Sequence, residues 1–220
     1  GFETTVPTVG YEIVNGPPPN FSVICAYKLI PAALELLISQ SQLKIDGFIS
    51  PGHVSTIIGL KPFKIFSDAY RVPNVIAGFE PNDVLLGILI LLQQIKNKKF
   101  ETLNEYSRVV KPEGNKIAQK IINDVFKPVS SPWRGIGRIF DGGLAIRPEF
   151  EKYDAEKKFS IQIGKSQDIP PGCSCHLVMV GKLSPNECKL FAEKCTPLNP
   201  IGPCMVSMEG TCSIYYKYQK

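Results

Sequence analysis

Of the seven cysteines in this 220-residue chain, six lie between Cys173 and Cys212. The spacing is Cys173-x-Cys175, then twelve residues to Cys188, six to Cys195, eight to Cys204 and seven to Cys212. Thiols at that density can do three things. Paired as disulfides, they would form a framework of the kind small secreted chains use. That device sits poorly on a chain of this length with Cys25 left over. As zinc ligands, four would be wanted, commonly presented in Cys-x-x-Cys knuckles, and no Cys-x-x-Cys occurs. An iron–sulfur cluster also takes four thiolates, and folded loops can deliver them at irregular spacing. The surplus pair would then have a use as a redox-active dithiol beside an electron source. The arithmetic favours the cluster and leaves the other two readings standing.

Outside this tail the candidates are single residues. His53 follows Pro51-Gly52 at the expected C-terminal end of a strand, where the loops of parallel sheets bind ligands. The plainer reading of a loop histidine is a hydrogen-bonded structural residue. Glu3 and Glu80 each stand where a carboxylate could cap the helix that follows. Cys25, inside an apolar run, reads as a small buried hydrophobe. Other motifs fail. Gly135-Ile136-Gly137 continues into Arg138-Ile139-Phe140, without the third glycine of a dinucleotide fingerprint, and there is no phosphate loop or His-Glu-x-x-His. A Gly-x-Ser-x-Gly elbow is also missing, and His53 and His176 are the only histidines.

The elements that must position these residues can be read from punctuation and periodicity. A buried strand is predicted over residues 21–26, after the prolines at 17–19. Pro31 suits the first turn of a helix over 32–39. A second strand over 46–50 runs into the loop Pro51-Gly52-His53. A third, 74–77, ends in Gly78-Phe79-Glu80-Pro81. Asn82 or Asp83 would cap a buried helix over 84–94, and another helix fits 115–125. Beyond Pro132, extended pieces over 133–137 and 144–146 are expected around an Asp141-Gly142-Gly143 turn. A surface helix over 149–159 and a hinge over 167–172 lead into the cysteine tail. Short apolar strands separated by helices predict an α/β fold, a parallel sheet with helices on both faces. The expected organisation is an α/β domain over 1–130, then 131–220 returning to the body and ending in a small cysteine-rich domain over 165–220.

Composition excludes several classes. Apolar residues at 44% and aromatics at 10% are too abundant for a disordered chain. The 19 prolines and 18 glycines have no collagen period. A net charge of +5, from 25 Lys and Arg against 20 Asp and Glu, is too mild and interspersed to argue for nucleic acid. The longest apolar run, Val84 to Leu92, is nine residues, against about 20 for a membrane span. Gly1 to Thr5 does not read as a signal peptide.

Taken together, the motifs resemble one family. Gly1-Phe2-Glu3-Thr4-Thr5-Val6-Pro7, Pro51-Gly52-His53-Val54-Ser55 and Val75-Ile76-Ala77-Gly78-Phe79-Glu80-Pro81 come in order. Asn104-Glu105-Tyr106-Ser107-Arg108-Val109-Val110 and Trp133-Arg134-Gly135-Ile136-Gly137 follow. Gly202-Pro203-Cys204-Met205-Val206-Ser207-Met208-Glu209-Gly210-Thr211-Cys212 closes the series. This pattern, over essentially the whole chain, resembles the HypD family of [NiFe] hydrogenase maturation proteins.

The resemblance implies a cytoplasmic scaffold on which an Fe(CN)2CO unit is assembled, rather than a classical enzyme. It implies two α/β domains facing a cleft and a further domain with a [4Fe-4S] cluster. It also implies the partners HypC, a HypE/HypF complex that donates cyanide and, indirectly, the hydrogenase large-subunit precursor. Cys173, Cys188, Cys195 and Cys212 match the cluster ligands, and Cys175 and Cys204 the adjacent redox pair. His53 and Glu209 match positions at or near the cleft. Two departures stand out. His176-Leu177 follows Cys175 where the family has glycine, so His176 is expected to tune or shield the dithiol without ligating iron. The family's upstream domain, with its Cys-Gly-x-His and Cys-Pro-x-Cys motifs, has no counterpart, so the chain is expected to be a C-terminal portion with its first strand truncated. Such a portion would carry the cluster without assembling the iron–cyanide unit. The rival expectations are a zinc-stabilised interaction module and a stand-alone iron–sulfur thiol reductase.

Overall fold

A computed structural model describes residues 1–39, 45–161 and 169–219. The chain divides into two units: residues 1–39, 46–131 and 139–162 form the first, and residues 40–45, 132–138 and 163–220 the second.

The first unit is built on a three-stranded parallel sheet in the order β1 (Phe48–Pro51), β2 (Asn74–Ala77), β3 (Thr102–Asn104). All four residues of β2 are buried, as a central parallel strand requires. In register, Phe48 lies beside Asn74 and Asn74 beside Thr102, so these three share one face. That face meets α4 (Lys61–Asp68): Phe66 packs on Phe48 at 6.2 Å, and the Thr102 hydroxyl donates to the Phe63 carbonyl at 3.2 Å. Val75 and Ala77 point the other way, onto α5 (Pro81–Lys96). Gly87 permits that approach, because a Cβ there would sit 3.0 Å from the Cβ of Ala77. Helices therefore flank both faces.

The remaining helices of this unit are α1 (Val6–Val14), α2 (Ile30–Ser39), α3 (Gly52–Ile58) and α6 (Lys116–Val125), with a short α7 (Ala155–Lys158) near its end. Asn115 caps α6 by accepting the Ala118 N–H at 3.0 Å, satisfying one orphan donor. A second core gathers Val6 and Ile13 of α1 with Tyr27, Val125, Phe126, Leu144, Ile146 and Tyr153. Two long strands, β4 (Phe126–Trp133) and β5 (Gly137–Ile146), pair as a separate two-stranded sheet.

Several expectations need correcting. Residues 21–26 form no regular strand. The segment makes a single one-residue bridge, Val23 with Asp154, because its backbone is engaged by the Tyr153–Ala155 turn: Val23 N–H donates to Tyr153 O at 2.8 Å and Ala155 N–H to Val23 O at 2.9 Å. His53 is not in a loop, since β1 passes directly into α3. Glu80, not Asn82 or Asp83, occupies the cap position of α5 and makes no side-chain cap. Nor is α5 a buried helix. Asp83, Gly87 and Gln94 are its buried residues, while Leu85, Leu89 and Leu92 are 65%, 50% and 57% exposed. The hairpin turn lies at 134–136 rather than 141–143; Asp141 instead takes a positive φ of 49° within β5. The predicted helix over 149–159 is a 3-10 turn, Pro148–Tyr153, followed by α7. The expected hinge falls partly outside the described residues.

The second unit is loop-rich, with short helices α8 (Cys175–Met179) and α9 (Pro203–Val206), a 3-10 turn Pro185–Glu187 and a longer α10 (Thr211–Tyr218). Its small core is sulfur-rich: Cys175, Val178, Cys195, Cys204, Met205 and Cys212. Phe191 anchors α10 by edge contacts with Tyr215 at 5.7 Å and Tyr216 at 6.0 Å.

Candidate functional site: a thiol cavity beside a disulfide

Each cysteine of the second unit is delivered by a different short element. Cys175 opens α8, Cys204 lies in α9 and Cys212 in the first turn of α10. Cys188 ends the Pro185–Glu187 turn, which is fixed by a reciprocal box: the Ser184 N–H donates to the Glu187 carboxylate at 2.6 Å. Cys195 closes a tight loop in which its N–H donates to Leu190 O at 2.8 Å. Together with Cys173, these residues line one cavity whose other walls include Val178, Leu190, Phe191 and Met205.

The six are not equivalent. Cys175 and Cys204 are joined by a disulfide across 29 residues of sequence, with Cα atoms 6.2 Å apart. Cys173, Cys188, Cys195 and Cys212 are free; the last three are buried and Cys173 is partly so. A framework using all six in pairs is not what these residues form.

The free thiols sit in contrasting fields. Burial pushes the Cys188 thiol up, but N–H groups of Leu190, Ser174 and Phe191, with the Ser174 hydroxyl, outweigh it and hold the thiol below its ordinary value. Cys195 Sγ accepts the Ile201 N–H at 3.4 Å. Burial raises Cys212 to about 11, aided by the negative charge that Cys188, Cys195 and Cys173 would carry as thiolates. Burial likewise raises Cys173, where Arg134 acts the other way. These sulfurs are close enough to repel one another as anions and are partly furnished with N–H donors. A cationic inorganic core would relieve that repulsion.

Among the described residues, no three His, Cys, Asp or Glu side chains are grouped to hold a single metal ion. A cluster asks for something different, four thiolates spread around a cage. Four free cysteines around one apolar cavity suit that donor set. Gly202 supports the fit, because a Cβ there would collide with Cys173 Sγ. The residues present therefore fit a cysteine-ligated cluster.

His53 and Glu209 do not join this cavity. His53 belongs to the first unit, exposed on the first turn of α3, with its ring stacked on Phe79 at 4.1 Å and 12°. Phe79 leaves the C-terminal end of β2, and Arg108 braces the same region. Its guanidinium is 2.7 Å from buried Asp83, 3.8 Å from Glu80 and 4.5 Å from the Tyr106 ring centre. The Arg108 hydrogen bond holds the Asp83 carboxyl below the usual carboxylate range. Glu209 is exposed in the second unit, in the loop between α9 and α10, where its N–H donates to Ser207 Oγ at 3.2 Å. Cys25 is half-buried and donates its S–H to Leu144 O at 3.1 Å, consistent with a structural thiol. Glu3 is buried, and its carboxylate caps not the helix that follows but α2, accepting the Ile30 N–H at 2.8 Å.

A family model for HypD, described as the "Hydrogenase formation hypA family", matches residues 1–219. The chain belongs to the HypD family. It is 45% identical over 223 residues to a hydrogenase expression/formation protein of Methanocaldococcus jannaschii, covering 100% of this chain and 62% of that protein. It is 40% identical over 228 residues to the hydrogenase maturation factor HypD of Rhizobium leguminosarum bv. viciae, covering 99% of this chain and 59% of the relative. The Cupriavidus necator HypD is also 40% identical over 228 residues, with 99% and 60% covered. The chain thus spans about three-fifths of the length of the HypD relatives it matches.

Several residues of this HypD-family chain have roles that their sequence context does not assign. Gly202 could have been suspected from the Gly-Pro-Cys run. The amides of Leu190, Phe191 and Ile201 carry no side-chain signature at all. Arg108 and Asp83 are distant in sequence, as are Phe79 and His53, and each pair meets because parallel strands bring their C-terminal loops together.

Proposed function

We propose that this chain forms the cysteine-cluster portion of a [NiFe] hydrogenase maturation factor, a redox-active scaffold rather than a classical enzyme. Cys173, Cys188, Cys195 and Cys212 would hold a [4Fe-4S] cluster, and Cys175 and Cys204 would be the thiols exchanged beside it. One observation carries the reading: in a HypD-family chain, four free cysteines surround a single cavity whose wall includes a disulfide between the other two.

When bound, such a cluster supplies electrons singly. The chain's own groups do the rest. The N–H donors at Cys188 and Cys195 favour the thiolate at those sulfurs, and Val178, Leu190, Phe191 and Met205 limit water. The Cys175–Cys204 bond accepts two electrons and two protons on opening to a dithiol. The Fe(CN)2CO unit is cargo in this reading. HypC, a HypE/HypF complex and the large-subunit precursor are its proposed handlers in the cytoplasm, and His53 and Glu209 are proposed to face that exchange.

Anaerobic purification followed by iron, sulfide and zinc analysis tests the reading. About four irons and four sulfides per chain are expected, abolished by Cys188→Ser and retained in Cys175→Ser. Colourless protein with one zinc would replace the cluster by the interaction-module reading. The disulfide gives the thiol-reductase reading a specific footing, and trapping of mixed disulfides by Cys175→Ser or Cys204→Ser would identify its substrates.

A further inference from the structure

The disulfide is shut away from solvent. Cys175 is 1% exposed and Cys204 7%, and Cys188, Cys195 and Cys212 on the same cavity are buried as well. Thiol–disulfide exchange requires an attacking sulfur to reach one sulfur of the bond, so its rate depends on access as well as on nucleophilicity. A dithiol on another protein has no such path to Cys175 or Cys204 in the folded unit. Cys173 differs. It lines the same cavity, and of the six it is the cysteine that is partly exposed.

The backbone holds Cys173 against the pair from two sides. The Cys175 N–H donates to the Cys173 sulfur, and Gly172, at φ of 83°, turns the chain just before it. Gly202, two residues before Cys204, approaches from the other side. A Cβ there would collide with Cys173 Sγ and lie 3.8 Å from the Cβ of Cys175, so no more than about 6 Å separates that sulfur from Cys175 Cβ. Rotation of the two side chains spans such a gap. Residues two apart in sequence also bring their Cα atoms within the roughly 4.4–6.8 Å that a disulfide bridges.

We propose that Cys173 is a further exchange residue, the nucleophile through which an external protein dithiol opens the Cys175–Cys204 bond. Cys173, its proton given to solvent, attacks Cys175 Sγ. The Cys175–Cys204 bond breaks, a Cys173–Cys175 bond forms, and Cys204 leaves as a thiolate that takes up a proton. The disulfide has then moved to the exposed sulfur with no net oxidation or reduction. One thiolate of the external dithiol attacks Cys173, and Cys175 leaves as a thiol. The second external thiol resolves the mixed disulfide, so that Cys173 ends reduced and the external pair oxidised. Two electrons and two protons pass in all. The inference rests on the redox reading of Cys175 and Cys204 and not on the cluster, although committing Cys173 to a cluster would close this route.

The test uses the whole chain, freed of metal with a chelator. Its resting disulfide is counted in urea by alkylation and mass spectrometry, and opening of that bond by reduced thioredoxin is then timed in the folded protein. Cys173→Ser should slow opening at least about tenfold, while Cys25→Ser, outside the cavity, should leave it unchanged. A thioredoxin lacking its resolving cysteine should be trapped on Cys173, and mild oxidation of Cys204→Ser should yield a Cys173–Cys175 linkage. Opening of Cys173→Ser at the wild-type rate, trapping on Cys175 or Cys204, or no opening of the wild type would overturn the relay and leave the redox pair standing. A chain with no disulfide to count would overturn both.

Discussion

Glu3 offers the sharpest test of the packing around α1 and α2. It is 2% exposed, one carboxylate oxygen accepts the Ile30 N–H, and the other, Oε2, is buried with no partner. Burial lifts the carboxyl from its ordinary 4.5 to about 7, against the smaller opposing pull of the backbone N–H groups of Glu3 and Ile30. At 1.36 kcal/mol for each tenfold step in proton affinity, that gap corresponds to roughly 3 kcal/mol. The sign follows from proton counting. Between pH 4.5 and about 7 the folded chain holds a proton that the unfolded chain has lost. Stability from this group is therefore complete below pH 4.5 and is lost as pH rises through about 7. Glu3→Gln keeps a carbonyl for Ile30 and cannot ionise. Its amide N–H groups would be as poorly partnered as the protonated carboxyl, which changes the intercept and not the slope. Urea unfolding followed by far-ultraviolet circular dichroism at pH 5, 6, 7 and 8 separates the two. The difference between wild type and Glu3→Gln should move against the wild type by a few kcal/mol over that range. Parallel stability profiles for the two proteins would refute the reasoning.

Other expectations follow from close approaches and exposure. Gly202→Ala should displace Cys173 and lower the iron bound per chain several-fold while the Cys175–Cys204 disulfide persists, as thiol titration and metal analysis would report. Gly87→Leu should cost about 1–3 kcal/mol by forcing α5 off Ala77, seen as a lower urea midpoint. Leu89→Lys, on the exposed side of the same helix, should change stability by no more than about 0.5 kcal/mol in this chain.

The elements legible in the sequence were those whose signal is local. β2 matches its predicted span because an all-apolar run flanked by Asn74 and Gly78 has no competing period. α6 matches because Asn115 announces it and its apolar residues repeat at helical spacing. α5 was legible as a helix but not in its environment. With no charge between Asp83 and Lys96, it reads as buried on every side. Yet the residue that seats it on the sheet is Gly87, and Leu85, Leu89 and Leu92 face outward. Hydrophobicity reports what a surface would gain by burial, not which surface meets a partner. The failure over residues 21–26 is of the same kind. The apolar run is real, but its hydrogen bonds go to a turn more than a hundred residues away, which no local pattern encodes.

The cysteine unit shows where spacing ends and three-dimensional chemistry begins. Six cysteines at irregular intervals favour a cluster by arithmetic yet leave the disulfide and zinc readings standing, because sequence separation does not fix which sulfurs face which. What distinguishes them is the surroundings of each sulfur. Cys175 and Cys204 begin or lie within short helices that bring their Cα atoms to disulfide distance. Cys188 and Cys195 instead receive backbone N–H groups, an arrangement of use to a thiolate and of little use to a disulfide sulfur. Apart from Ser174, those donors come from Leu190, Phe191 and Ile201, residues whose side chains say nothing of the role.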